Sequence, residues 1–166
     1  LWFLDRLEGA DAAYNVPLAA RLLGRLDTAA LAMALDDVVM RHESLRTRLQ
    51  DADGEPYQEI VDRAHIALER RACAADAVDA VLALEAARPF ELARDLPLRA
   101  LLLELGPDDH VLALVVHHIA TDGWSMGRLL EDLATAYRAR SAGEVPAHEP
   151  LPVQYADYAL WQRALL

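Results

Sequence analysis

Two long apolar runs mark the second half of the chain, whereas most other segments mix apolar and polar residues. They cover residues 98–105 and 110–118 and are separated by a Gly-Pro-Asp-Asp turn. Near-continuous apolar strands are typical of sheets covered on both faces, so these runs predict a hairpin in the middle of a sheet. Further strands are predicted in four other segments, residues 14–26, 45–49, 57–61 and 66–70.

Helical periodicity indicates four helices, at residues 28–42, 72–87, 124–140 and 155–165. In the first, Leu31, Leu35 and Val38 share one stripe, and Asp27 is placed to cap its start. Residues 141–153 hold three prolines and one glycine, which indicates a linker. The pattern therefore predicts a sheet with helices packed on it, an α/β or α+β fold, in one domain.

Composition narrows the possible partners. The formal net charge is -11, and this acidity disfavours nucleic acid, because phosphate contacts need clustered basic residues. No apolar run approaches the roughly 18 residues of a membrane span, and no signal peptide is evident, which favours a cytoplasmic protein without a membrane partner. Cys73 is the only cysteine, so neither a disulfide framework nor a cysteine-based zinc site is expected. The chain begins at Leu1 without Met, and we expect it to be a piece of a longer polypeptide.

Candidate chemistry concentrates in residues 115–127, VVHHIATDGWSMG. Ser125 lies in a Gly-x-Ser-x-Gly pattern, which in serine hydrolases forms the nucleophile elbow. The pattern is weak here, because His148 in the linker is the only later histidine and the elbow serine ordinarily follows its strand directly. We expect Ser125 to cap or line the first turn of its helix instead.

The two adjacent histidines offer a second interpretation. Side chains alternate along a strand, so His117 and His118 point to opposite faces and are poorly placed to chelate one metal; no metal site is expected. One faces the core, and the other lies at the strand end, where a neutral imidazole can accept a proton or position a nucleophile. Asp122 is placed either to orient a side chain or to cap the following helix. Two purely structural histidines remain the alternative.

Three motifs resemble those of the condensation domains of nonribosomal peptide synthetases, relatives of chloramphenicol acetyltransferase, in the family's order. Residues 117–125 resemble HHxxxDGWS, residues 41–47 resemble RHExLRT, and residues 155–161 resemble YxDxAxW. The resemblance spans essentially the whole chain and looks most like the subtype that joins an L-configured donor to an L-amino-acid acceptor. It implies a chloramphenicol-acetyltransferase-like lobe, a two-layer sandwich with a central mixed sheet and helices packed on it.

The family has two such lobes, and residues 1–166 resemble only the N-terminal one. The resemblance implies a bacterial acyltransferase that forms a peptide bond between a donor thioester and an acceptor amine. Both substrates would be carried on the 4′-phosphopantetheine arms of donor and acceptor peptidyl carrier proteins, with no cofactor bound directly. Further partners implied are the adenylation domain and the missing C-terminal lobe of the same synthetase, so the lobe alone is expected to be inactive.

Roles for single residues also follow from the resemblance. His118 is the expected catalytic residue, which holds or deprotonates the amine, and His117 is structural. Asp122 is expected to form a buried ion pair with an arginine, Gly123 to permit the turn near the reacting carbonyl, and Trp124 to pack. Structural support is further expected from Arg41, His42 and Arg46. Tyr155 and Trp161 are expected to anchor the last helix on the lobe, with no chemical role.

Two other functions remain open at this point. One is a non-catalytic lobe that serves as a scaffold or carrier-docking surface. The other is a sister domain of the same fold, of the epimerisation type. Residues beyond position 166 would separate them.

Overall fold

Six strands form two sheets in the computed structural model, which describes residues 1–3 and 12–165. They are β1 (Asn15–Leu23), β2 (Thr47–Ala52), β3 (Glu55–Ile60), β4 (Leu68–Ala72), β5 (Leu98–Gly106) and β6 (Asp109–His117). The main sheet has the order β1-β6-β5-β4, and only β4 and β5 run parallel. The sheet is therefore mixed, with the predicted β5–β6 hairpin at its centre, while β2 and β3 form a separate hairpin.

The α-helices of the described residues are α1 (Thr28–Arg41), α2 (Val78–Ala86), α3 (Ser125–Ser141) and α4 (Tyr155–Leu165). α1 begins where predicted, because the Asp27 carboxylate accepts a hydrogen bond from the Ala30 amide at 2.9 Å. α2 begins later than predicted, because Ala72 still pairs in β4 and Ala75–Ala77 forms a 3₁₀ turn. Across the described part of the chain, no helix combines the length and apolar character that crossing a membrane requires.

Side-chain alternation in the central hairpin builds two apolar layers. Leu102 and Leu114 face α1 and α3, where Leu35 lies in the same buried cluster. Leu103, on the opposite face, packs with Val81 of α2. Leu102 and Leu103 are both 0% exposed, which explains why the strand is apolar at successive positions. The larger core thus lies between the sheet and the pair α1 and α3, and α2 covers the second face.

The β2–β3 hairpin turns at Asp53 and Gly54, whose φ angles of 55° and 88° are both positive. This is the backbone of a two-residue primed turn, for which Asp-Gly is a preferred sequence. Arg46 precedes the hairpin in a 3₁₀ turn (Glu43–Arg46), not on the strand predicted over residues 45–49. Its guanidinium donates to the Val61 carbonyl at 2.8 Å and pairs with Glu43 at 3.3 Å. Arg46 therefore joins the two ends of the hairpin, which agrees with a supporting role.

α4 has the predicted bounds but lacks the predicted anchors. Tyr155 and Trp161 are 57% and 59% exposed, so their rings do not fix the helix to the lobe. The attachment comes from Gln154, whose side chain donates to the Arg41 carbonyl at 3.0 Å and accepts from the Glu43 amide at 3.2 Å. The prediction about the aromatic residues was wrong because polar bonds, rather than ring packing, hold the start of this helix.

Candidate functional site

The two adjacent histidines lie on opposite sides of the end of β6, as side-chain alternation predicts. His117 is the last residue of the strand and is 1% exposed, whereas His118 is exposed in the loop that follows. The backbone fixes this transition: the His118 amide donates to the Tyr14 carbonyl at 2.8 Å, and the His117 amide donates to the Pro97 carbonyl at 3.0 Å. Hydrogen bonds to two neighbouring chain segments thus fix the backbone where the strand ends and the exposed His118 follows.

His117 is held as a neutral imidazole inside the protein. Its Nδ1 accepts a hydrogen bond from the Ile119 amide at 3.1 Å, so the proton of the neutral ring lies on Nε2. The ring meets the Phe90 ring edge-on, with 5.9 Å between centroids. Burial, and secondarily the neighbouring His118, lower the pKa of His117 from 6.5 to about 4. At neutral pH His117 therefore supports the loop and carries no charge.

His118 opens into a cavity of about 1040 Å³. The walls come from the β2–β3 hairpin, the loop after β6, the segment before α4 and α4 itself, and include Thr47, Tyr57, Leu151 and Ala159. Among the described residues, no hydrogen bond engages the His118 imidazole. Both ring nitrogens are thus available to a molecule that enters the cavity.

Asp122 caps α3, which is one of the two roles its position allowed. Its Oδ1 accepts hydrogen bonds from the Trp124 amide (3.1 Å), the Ser125 amide (2.8 Å) and the Ser125 hydroxyl (2.6 Å). The Ser125 hydroxyl, followed by its amide, lowers the pKa of this carboxyl, so it is ionised at neutral pH. The expected buried ion pair with an arginine is not formed among the described residues, because the side chain is exposed and its acceptor oxygen serves the helix start.

Of three neighbours of Asp122, Trp124 and Gly123 differ from expectation and Ser125 does not. Trp124 is 87% exposed, so the packing predicted for it is absent from the described structure. Gly123 has no positive φ, and a Cβ there would meet no atom within 4 Å, so the turn itself does not require glycine. Ser125 lines the first helical turn, as predicted, and its hydroxyl bonds to a carboxylate rather than to a histidine, which is not the geometry of a nucleophile elbow.

A second polar group lies at the end of α1. The Asp132 carboxylate accepts hydrogen bonds from Arg41 Nε at 3.0 Å and from His42 Nε2 at 2.7 Å, and His148 Nδ1 lies 3.8 Å away. Arg41 also donates to the Glu149 carbonyl of the linker. Arg41 and His42 therefore have structural partners, as expected, but their common partner was not identified from the sequence. In the sequence, the α3 face that carries Asp132 is typical of a solvated surface. It does not indicate the contact with His42, which lies 90 positions away along the chain.

The surroundings of Asp132 lower the pKa of its carboxyl. Desolvation alone would raise the pKa of Asp132, but hydrogen bonds from His42 and then Arg41 outweigh it and lower that pKa. The carboxylate is therefore an ionised acceptor at neutral pH. Within residues 1–3 and 12–165, no cluster of three or more His, Cys, Asp or Glu side chains could hold a metal ion.

The sequence profile of the condensation-domain family matches residues 1–166. Among curated proteins, the chain is 56% identical over 166 residues to a protein of Salinispora arenicola described as a probable nonribosomal peptide synthetase. It is 49% identical over 168 residues to the dimodular nonribosomal peptide synthase of Bacillus subtilis. Both alignments cover 100% of this chain but only 2% and 7% of the relatives, so the chain spans a small part of each.

Solved structures agree with these sequence matches. The X-domain from teicoplanin biosynthesis shares 42% identity and superposes with a TM-score of 0.93 over 99% of this chain and 36% of its own. The first condensation domain of the CDA synthetase shares 25% identity, with a TM-score of 0.85 over 99% of this chain and 43% of its own. The X-domain has also been solved in complex with OxyB. The fold is therefore the α+β lobe expected from the resemblance, and it corresponds to less than half of each of these chains.

Proposed function

The chain belongs to the condensation-domain family, and from that premise we propose that it is the N-terminal, catalytic-histidine-bearing lobe of a peptide-bond-forming condensation domain. The donor is an acyl or peptidyl thioester and the acceptor an aminoacyl group, each on the phosphopantetheine arm of a carrier protein. The observation that carries the proposal is the exposed His118, whose imidazole has no hydrogen bond among the described residues, at a cavity of about 1040 Å³. A cavity of that size accommodates a flexible arm as well as the reacting groups.

The reaction joins the acceptor nitrogen to the donor carbonyl carbon. The C–N bond forms, the C–S bond breaks, and the thiol of the donor arm leaves. Overall, the acceptor ammonium also loses one proton to solvent. Because the thioester is already activated, the site mainly has to hold an unprotonated amine in line with the carbonyl. In this proposal an imidazole nitrogen of His118 accepts a hydrogen bond from the amine and steadies the tetrahedral intermediate.

The other motif residues support His118 indirectly in this proposal. His117 fixes the loop through the Ile119 amide at 3.1 Å, and Asp122 fixes the start of α3 through Ser125 at 2.6 Å. Gly123 lies between these two supports, and the open space around its Cα allows a substrate carbonyl to approach its amide. Neither His117 nor Asp122 needs to touch substrate for its loss to lower activity.

Carrier proteins, an adenylation domain and a second lobe are the partners that this function requires. The curated relatives are far longer than this chain, which supports a place within a multidomain synthetase. Tyr155, Tyr158 and Trp161 form an exposed row of tilted rings on α4, with successive centroids 6.1 and 5.8 Å apart, and this row is suited to contact with such a neighbour. The same features would serve an L-to-L condensation domain, the subtype that the motifs resemble.

A second candidate is a non-catalytic lobe that docks a partner protein. It is favoured by the likeness to the teicoplanin X-domain: the matching chain in the structure of its complex with OxyB superposes on this chain with a TM-score of 0.94 at 41% identity. The complete HHxxxDG motif, with an exposed imidazole at His118, favours the catalytic candidate.

Mass spectrometry of carrier-bound dipeptide separates the two candidates. The 166-residue chain and the same chain extended through a second lobe are each mixed with one loaded donor carrier and one loaded acceptor carrier. We expect dipeptide only from the extended form, and its loss by at least about 100-fold in His118→Ala, the scale of a general acid–base contribution.

The matched control is His65→Ala, because His65 is a histidine with 70% side-chain exposure outside the cavity that contains His118. The control should keep full activity. Near-normal turnover by folded His118→Ala would refute the catalytic assignment, and absence of product from the extended wild type would favour the docking lobe.

A further inference from the structure

His42 also lines the cavity that contains His118, and a carboxylate fixes its orientation. Its Nε2 lies 2.7 Å from Asp132 Oδ2, within hydrogen-bond distance and in the range of charge-assisted bonds. The Asp132 side chain is only 19% exposed, and its carboxylate also accepts a hydrogen bond from Arg41 Nε at 3.0 Å. An ionised acceptor held in this way places the imidazole proton on Nε2.

The tautomer of His42 determines what its second ring nitrogen, Nδ1, can bind. With the proton of the neutral ring on Nε2, Nδ1 carries a lone pair and can only accept a hydrogen bond. His42 Nδ1 has no hydrogen-bond partner among the described residues and is not one of their enclosed, unpaired polar atoms. Nδ1 therefore keeps contact with solvent, and His42 lines the cavity with 23% of its side chain exposed. His42 caps the end of α1, where its amide donates to the Val38 carbonyl at 3.1 Å. Orientation of its imidazole by a carboxylate is more than this cap requires.

We propose that His42, oriented by Asp132, is a second substrate-binding residue whose Nδ1 accepts a hydrogen bond from an N–H group of the carrier-tethered substrates. The inference rests on the proposed function, because that function determines which molecules enter the cavity. Two N–H sources share this chemistry: the amides of the pantetheine arm and the amine of the acceptor group. Asp132 acts through His42 and is a positioning residue.

Two substitutions at one position separate binding from folding. In His42→Gln, the side-chain amide can reach the Nε2 position and still donate to Asp132, but no acceptor remains at Nδ1. In His42→Asn, the shorter side chain keeps an oxygen near Nδ1 and loses the bond to Asp132. A matched control is His65→Gln, the same substitution at another histidine that bonds a carboxylate, Asp36, at 2.8 Å.

Steady-state kinetics of dipeptide formation by the extended domain give the first readout. We expect His42→Gln to keep the wild-type melting temperature and to raise KM by about 3- to 10-fold, the worth of one neutral hydrogen bond, with a smaller effect on kcat. His42→Asn should show the opposite pattern, with a lower melting temperature and a KM nearer to wild type. An unchanged KM for both substrates in folded His42→Gln would overturn the proposal.

A second readout does not depend on activity, so it also decides the matter if the extended domain makes no dipeptide. Long-range proton–nitrogen NMR of the histidine-labelled chain at pH 8.5 should show the Nε2–H tautomer at His42, and Asp132→Ala should abolish that preference. Pantetheine, which has amides and no amine, and propylamine, which has an amine and no amide, are then titrated separately. A shift of the His42 Nδ1 signal with one of them identifies the N–H source, and no shift with either overturns the proposal.

Discussion

Acidification below pH 6.5 should destabilise this fold through one of its buried histidines, His117. The fold lowers its pKa from 6.5 to about 4, chiefly through burial. At pH 5 to 6, His117 therefore binds a proton in the unfolded chain but not in the folded chain. Stability from this group is complete above pH 6.5, falls as the pH drops from 6.5 towards 4, and stays lost below that.

The magnitude follows from the width of that window. Each pH unit inside the window costs about 1.4 kcal/mol of unfolding free energy. Between pH 7.5 and pH 5, His117 should therefore account for a loss of about 2 kcal/mol, and over the full window for about 3 kcal/mol. This loss is large against the roughly 5–15 kcal/mol of a typical domain.

Urea unfolding at several pH values, followed by circular dichroism, tests this reasoning. The informative variant is His117→Asn, because asparagine cannot titrate in this range and its oxygen can still accept the Ile119 amide. It should be less stable than wild type at pH 7.5, and the difference should shrink by about 2 kcal/mol at pH 5. Taking the difference between wild type and His117→Asn cancels the pH dependence that the carboxylates give to both proteins. His65→Asn, at an exposed site, serves as control. Parallel pH profiles for wild type and His117→Asn would refute the assignment.

Two further substitutions test the loop after β6. Asp122→Ala removes the cap of α3 and should lower the melting temperature by about 2–4 °C in differential scanning calorimetry, whereas an unchanged melting curve would show that the cap contributes little. Trp124→Ala should shift that temperature by less than about 1 °C, because the ring is 87% exposed; a large drop would mean that Trp124 packs after all.

Most of the fold could be predicted because its central hairpin is apolar on both faces. Leu102 and Leu103 need partners on opposite sides, and only a covered sheet supplies them. The start of α1 was equally predictable, since Asp27 is a strong capping residue. The start of α2 was not, because alanine suits a helix and does not reveal that Ala72 pairs with Glu104 in the sheet.

The candidate site was predicted where local geometry decides it. Alternation along β6 separates His117 from His118 without knowledge of any distant contact. Asp132 was missed because its partners Arg41 and His42 lie at the end of another helix, and only packing of α1 against α3 brings them together. The exposure of Trp124 was missed for a related reason. An aromatic side chain is buried only where another part of the fold packs over it, and the local sequence does not show whether this happens.

The adjacency of His117 and His118 explains how one strand end can combine a fixed backbone with an exposed imidazole. A buried neutral imidazole costs proton-binding free energy in acid, but it supplies an acceptor for the Ile119 amide that an apolar residue would leave unpaired. That bond and the one from the His118 amide to the Tyr14 carbonyl, at 2.8 Å, hold the backbone on both sides of the exposed ring. The His118 side chain, which forms no hydrogen bond among the described residues, can then remain exposed while its Cα is fixed. A substitution at His117 should therefore affect His118 through position and not through charge.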